Sequence, residues 1–429
     1  MRLLFLNSVF PGRFRSLAQA FGGIRDNTVL FLAESGQKTT IPGVRRLRLA
    51  PPAAYESDDP AEREIVTRLR RGARAGNALL ALRKEGFSPD IICASASMGG
   101  SFYVRDIFPK TFYVGQADWF YTQGESHCFF TRGKSRPAAD FAPARVANLW
   151  EYNALGECDL AVTSSLWQRS QYPDFLAKKL HVVHSGINTR FFSPLENQEE
   201  RGGELVSFFG PPHDAARGFQ QFKDCLPRLL EQRPNCLVLL SWLENSQGEA
   251  RTRPSGNNPA DRAEEEATRC VDRLNLPPEQ RVRVHVLGPR PLKEYRELLR
   301  ASTVHVYLAA PHALTTGLLE GMACGALIVG SDTPPVREII RDGVNGFLCD
   351  FWDAEDMSAR IVETLENASA LDHVRTNAQQ TILREYDGEI QTRRLMSLIL
   401  HSMDQERSDE KHEASKEDVS GEQGGASEA

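Results

Sequence analysis

The stretch from Val304 to Pro335 reads VHVYLAAPHALTTGLLEGMACGALIVGSDTPP. It opens on a short apolar run, Val304 to Leu308, and passes through a polar loop containing Pro311, Thr315 and Thr316; Leu318, Leu319, Met322 and Ala323 then fall at helical spacing. Gly325 stands where a helix ends in a left-handed residue. Leu327 to Gly330 is a second continuous apolar run, as in parallel strands covered on both faces. The stretch is one βαβ unit. The helix start in such a unit lies beside the carboxyl end of the preceding strand, where free backbone N–H groups and the helix dipole favour an anion such as a diphosphate. Thr315 and Thr316 are placed to cap that helix. Glu320, just over one turn in, either offers two acceptor oxygens to vicinal hydroxyls such as those of a ribose or only complements the dipole.

The same alternation extends outward. Upstream lie the predicted strands Leu205 to Phe209, Cys236 to Ser241 and Val282 to Leu287, with helices at Gly218 to Gln232, Arg262 to Leu274 and Leu292 to Ala301. The first half repeats it, with strands at Leu3 to Leu6, Val29 to Leu32, Gly43 to Arg48, Asp90 to Ala94, Thr111 to Gly115, Leu160 to Thr163 and Leu180 to Val183. Helices are expected there at Phe14 to Phe21, Ala61 to Gly86 and Ser165 to Ala177. This is the pattern of doubly wound α/β domains. The polar stretch Glu196 to Glu204 reads as a linker, which gives domains over 1–194 and 205–385, a helix over 386–403 and a disordered acidic tail over 404–429. The insert Glu244 to Glu265 is nearly devoid of apolar residues and reads as a surface loop, either a lid over a cleft or a solvated excursion.

A chain of 429 residues with 41% hydrophobic and 25% charged residues buries one large core or two. From Asp404 onward there are nine acids and three bases, which account for the whole formal net charge of -6. The neutral body implies no nucleic-acid partner. Eight scattered cysteines with no C-x-x-C pair read as buried thiols. No cluster has metal-ligand spacing, no stretch of eighteen apolar residues exists, and the start MRLLFLNSVFPG turns at Pro-Gly too early for a signal peptide. The expectation is a metal-independent cytoplasmic protein without a transmembrane segment, with a peripheral place at the membrane left open.

The segments LLEGMACGALIVGSDTPPVREIIRDGVNGFLCD and HVVHSGINTRFF resemble the retaining family-4 glycosyltransferases of GT-B architecture. VFPGRF, PDIICA, VRDIFPKTF and DLAVTSSLWQRSQYP resemble the subgroup with an NFPGQFR-type start. The resemblance implies two Rossmann-like domains facing across a cleft, with the acceptor on the N-terminal one, a sugar nucleotide on the C-terminal one, and a final helix crossing back. Carried over position by position, the family's second diphosphate-gripping base falls on Arg217 and its first on Pro211, which has no charge. The ribose-binding glutamate falls on Glu320, the sugar-contacting glutamate on His312, and a family histidine on Ser95.

The implied activity is transfer of a hexose from a nucleoside diphosphate sugar to a hydroxyl of a glycan, lipid-linked or protein acceptor, with retention and no cofactor beyond the donor. Arg217 and Glu320 are the candidate catalytic residues, and Gly210, His312, Thr315, Thr316, Gly317 and Leu318 complete the donor site. Two alternatives stand beside this reading. Pro211, Ser95 and His312 point to an impaired GT-B module that binds nucleotide or partners an active transferase, and the same cleft also suits sugar-nucleotide epimerisation.

Overall fold

A computed structural model describes residues 1–36, 39–97, 99–122, 130, 141–195, 203–212, 214–243, 269–270 and 272–423. Strands β1 (Arg2–Leu6), β2 (Val9–Phe10), β3 (Thr28–Ala33), β4 (Ser35–Gly36), β5 (Val44–Arg48), β6 (Ile91–Ser95), β7 (Phe112–Gln116), β8 (Leu160–Thr163) and β9 (Leu180–Val182) belong to the first half. Seven of them form one sheet in the order β5-β3-β1-β6-β7-β8-β9, and β2 pairs with β4 apart from it. The second half supplies β10 (Leu205–Phe209), β11 (Leu237–Leu243), β12 (Val284–Arg290), β13 (Val304–Tyr307), β14 (Leu327–Ser331) and β15 (Phe347–Cys349), in the order β12-β11-β10-β13-β14-β15. The pairings are parallel throughout. Each sheet reverses its winding at its first strand: β1 lies between β3 and β6, and β10 between β11 and β13. Such a switch point opens a crevice outside the carboxyl ends of the strands.

The strands are apolar runs because both faces are covered. In the first sheet Leu3, Phe5 and Phe31 pack toward Leu17 and Phe21 of α1 (Arg15–Gly22), while Leu4, Ile92 and Tyr113 join Leu79 of α2 (Pro60–Lys84) and Leu155 of α3 (Ala142–Glu157). In the second, Val206, Phe208 and Val238 pack against Phe222, Leu226 and Leu229 of α6 (Phe219–Gln232). Two short helices, α4 (Leu166–Ser170) and α5 (Asp174–Ala177), precede it in the chain. These replace the single helix expected over Ser165 to Ala177, because Pro173 lacks an N–H and pushes the residue before it out of helical geometry. Helix α3 was not foreseen, since its apolar residues form no clear stripe.

Ile187 and Phe192 pack in the core of the second half, ahead of the linker expected from Glu196, and Arg296 of α7 (Leu292–Ala301) lies 4.4 Å over the Phe191 ring. Residues 196–202 of that linker, the insert and most of the helix expected over Arg262 to Leu274 lie outside the described residues. Downstream come α8 (Gly317–Ala323), α9 (Pro334–Arg337) and, last, α10 (Gly388–Gln423). Helix α10 crosses back, burying Ile399 and Met403 in the Phe5, Phe14 and Leu17 cluster of the first sheet. Over the stretch from residue 404, where a disordered tail was expected, α10 runs on through Gln423. That stretch is rich in Glu, Lys, Gln and Arg, which have high helix propensity.

Candidate functional site

The crevice at the β10/β13 switch point encloses about 260 Å³. Its walls come from the loop after β10, the end of β11, α7, and the turn between β13 and α8. The loop after β10 folds on itself because the Asp214 carboxylate accepts the Ala216 N–H at 3.0 Å and Gly218 closes the turn at φ +70°. A side chain at Gly218 would bring a Cβ to 2.7 Å from that of Leu308, so only glycine allows this approach to β13. The Ala310 N–H then donates to the Ala216 carbonyl at 2.8 Å. Held in this way, Arg217 donates from Nη1 to Thr315 Oγ1 at 3.0 Å, with its Nε 3.5 Å from Asp214 Oδ2. Thr315 also shares a hydrogen bond of 2.9 Å with the Tyr307 hydroxyl.

Glu320 projects from α8 into the same crevice, 6% exposed. Burial pushes its carboxyl up to about 6, against hydrogen bonds from the Thr316 and Tyr295 hydroxyls that favour the charged form. Its Oε2 is buried without a hydrogen-bond partner. A buried carboxylate oxygen left unpaired is what a ligand hydroxyl satisfies on binding. His305, in β13 beneath it, pairs through Nδ1 with the Ser207 hydroxyl at 2.8 Å; burial holds the ring near 3, so it is neutral.

Arg217, Thr315, Thr316, Gly317 and Glu320 thus meet around one crevice. Three other expected donor residues do not line it. Gly210 is buried, and a Cβ there would stand 3.1 Å from that of Arg217. Leu318 is fully buried in the cluster behind α8. His312 lies with its ring centroid 4.5 Å from that of Trp119 in the first half. The expected threonine cap is also corrected: Thr316 heads α8 in helical geometry with no side-chain bond to the helix backbone, and its hydroxyl serves Glu320 instead. Sequence reading missed Tyr295, Tyr307 and Trp242, which line the crevice but read as ordinary helix and strand packing.

The first sheet presents a polar edge at its own switch point. Arg13 follows β1, Ser95 ends β6 and Asp118 follows β7. Arg13 Nη1 is 2.6 Å from Asp118 Oδ1, and the Ser95 hydroxyl donates to Oδ2 at 2.5 Å, joined there by that of Ser97. The Asp118 backbone is fixed on both sides, its N–H donating to Glu151 Oε1 at 3.3 Å and its carbonyl accepting from Gln168 Nε2 at 2.8 Å. Glu151 is fully buried; burial and then the Asp118 charge push its carboxyl up to about 8, and the Tyr172 hydroxyl donates to it at 3.0 Å. No pattern in the sequence marked Asp118 or Glu151, and Arg13 stood only as one residue of the VFPGRF segment with no role of its own. Among the described residues no group of three or more His, Cys, Asp or Glu side chains is placed to hold a metal ion, and no helix is long and apolar enough to cross a membrane. Seven cysteines are free and buried; Cys128 lies outside the described residues.

Comparison with known proteins supplies the family context. Residues 25–192 match a glycosyl transferase family 4 group and residues 265–381 match glycosyl transferases group 1. The chain is 25% identical over 237 residues to alpha-maltose-1-phosphate synthase of Mycolicibacterium smegmatis, covering 53% of this chain and 58% of that protein. It is 24% identical over 191 residues to phosphatidyl-myo-inositol mannosyltransferase of the same organism, covering 43% and 42% respectively. The chain therefore spans less than two thirds of the length of these relatives. Among solved structures, sucrose-phosphate synthase from Thermosynechococcus elongatus superposes with a TM-score of 0.70 at 14% identity, covering 94% of this chain and 98% of that one. Anabaena HepE in complex with UDP-glucose superposes at 0.66 and 16% identity, covering 94% and 100%. These likenesses show the GT-B fold.

Proposed function

We propose that the chain, which joins a region matching a glycosyl transferase family 4 group to one matching glycosyl transferases group 1 on a GT-B scaffold, is a glycosyltransferase, and that its β10/β13 crevice takes a nucleoside diphosphate sugar whose hexose passes to an acceptor hydroxyl with retention. The observation that carries the reading is the unpartnered, buried Oε2 of Glu320 in the crevice that Arg217 also lines, at the switch point of the second sheet. The ribose hydroxyls would donate to Glu320, and Arg217 with the backbone amides opening α8 would neutralise the departing diphosphate. Charge fixed in advance at the leaving group is the main catalytic demand of this chemistry. The Arg13–Asp118 edge, carried by the first sheet, suits a polyhydroxylated acceptor. HepE, solved with UDP-glucose on the same fold, makes uridine donors the first probes.

A thermal-shift panel of UDP, GDP and ADP with their glucose or mannose conjugates tests the donor class. A ligand at a hundred times its Kd stabilises by about 2.7 kcal/mol. At least one conjugate should raise the melting temperature by several degrees; a panel without a shift would remove the nucleotide-sugar reading. A second reading, an impaired module that binds donor without transfer, is favoured by Asp214, whose carboxylate lies in the crevice against Arg217, and by the uncharged Pro211 beside it. Binding without release of hexose from any bound donor, with water or sugars as acceptors, would select it.

A further inference from the structure

We propose that Glu338 is a positioning residue whose carboxylate locks the two domains face to face, holding the Arg13–Asp118 edge beside the loop that opens the donor helix. Glu338 follows α9 in the second domain, between Val336 and the pair Ile339 and Ile340, all buried in that domain's core, so its backbone is firmly held. Its side chain reaches the first domain. Oε1 accepts the Leu166 N–H at 2.8 Å and Oε2 the Trp167 N–H at 2.9 Å, contacts between residues 172 and 171 positions apart. Ser165, which caps α4, takes the Gln168 N–H at 3.0 Å with its own hydroxyl and leaves those two amides for Glu338. Bonds from N–H groups to a carboxylate are about twice as strong as neutral ones, and a helix start favours the negative charge.

The grip has a consequence beyond capping, because α4 supports the acceptor edge. Gln168, buried in α4, holds the Asp118 carbonyl, and the next residue, Trp119, meets His312 in the loop between β13 and α8. The chain crosses between the domains elsewhere, where the Ile187 N–H donates to the Tyr386 carbonyl at 2.9 Å and the Gly388 N–H to the Ile187 carbonyl at 2.8 Å. That crossing is a pivot, and Glu338, whose charge reaches the Tyr386 hydroxyl, is a releasable fastening beside it: when the domains part, water can satisfy the exposed Leu166 amide and the carboxylate. Phe130 against Phe351, at 5.1 Å, also bridges the domains, but as a non-directional contact it does not fix orientation.

The catalytic consequence rests on the glycosyltransferase reading, whereas the closure itself does not, so the two fail separately. Small-angle scattering of the full chain, without ligand, compares wild type with Glu338→Gln, Glu338→Ala and, as a cap control, Ser165→Ala. Both Glu338 variants should melt near wild type yet show a larger radius of gyration, while Ser165→Ala stays compact. Glu338→Gln keeps the volume and one acceptor oxygen, so it reports closure should the alanine variant fold poorly. With UDP-glucose as probe, release of glucose should fall roughly tenfold in kcat, the size of a population shift of this kind, with KM for the donor nearly unchanged. A scattering profile identical in wild type and both Glu338 variants would overturn the proposal, as would a loss of kcat without expansion. Expansion in a protein that binds no UDP or UDP-glucose would uphold the fastening and refute the donor reading instead.

Discussion

Glu320 combines burial, a raised carboxyl pKa and an unpartnered Oε2 in one side chain. Its ordinary value is 4.5 and burial lifts it to about 6, so between those values the folded protein holds a proton that the unfolded chain has released. The contribution to stability is therefore full below pH 4.5 and is lost as pH rises through 6. Glu320→Gln removes that loss: relative to wild type, the ligand-free variant should be about equal at pH 4.5 and more stable by about 2 kcal/mol at pH 8. Urea melts across that range measure it, and a flat difference would contradict a buried, displaced carboxyl. Ligand binding should move the other way, since ribose hydroxyls donate to the ionised form, and UDP-glucose affinity should rise from pH 5 to pH 7.5. In the sequence, the placement of Glu320 just over one turn into the helix after β13 was legible, whereas Arg217 stood out only through the family resemblance. The sequence left Tyr295, Asp118 and Glu151 illegible, since each depends on partners from other elements, such as the Glu320 carboxyl for Tyr295 or the Gln168 amide for Asp118.

At the scale of elements, the turn between β10 and α6 shows why donor loops tolerate little change. Gly218→Ala forces a left-handed backbone onto a residue with a Cβ and sets that atom against Leu308, so it should destabilise by at least about 1–2 kcal/mol. Because Arg217 precedes it, UDP-glucose affinity should also fall; unchanged stability in denaturant would show that the turn is not tightly packed. The parallel strands were legible as continuous apolar runs, and Leu205–Phe209 and Leu292–Ala301 have the bounds read from the sequence. Helix α3 and the break at Pro173 were less so, one through a weak apolar stripe and the other through a proline inside an otherwise helical pattern. Helix α10 buries Ile399 and Met403, and its described residues beyond Met403 are mostly exposed. Truncation after Met403 should leave the melting temperature nearly unchanged, whereas Ile399→Ala, at a fully buried position against the first sheet, should cost about 2–5 kcal/mol. A drop of several degrees on truncation would mean that the acidic end of α10 packs on the body.

At the scale of the whole molecule, two sheets each reverse at their first strand; we propose a nucleotide for the β10/β13 crevice and a polyol for the β1/β6 edge. The pairing of the two follows from the crossing at Ile187 and Gly388, the fastening at Glu338 and the return of α10 to the first sheet. The central claim is that Glu320 and Arg217, which line one crevice, grip one sugar nucleotide there. Calorimetric titration of UDP-glucose into wild type, Glu320→Ala and Arg217→Ala tests it most directly, with melting curves to show that each variant is folded. The expected result is saturable binding to wild type and affinities about tenfold or more weaker in each variant, the loss of one hydrogen bond to a charged group. Equal affinity in wild type and both folded variants would contradict the claim.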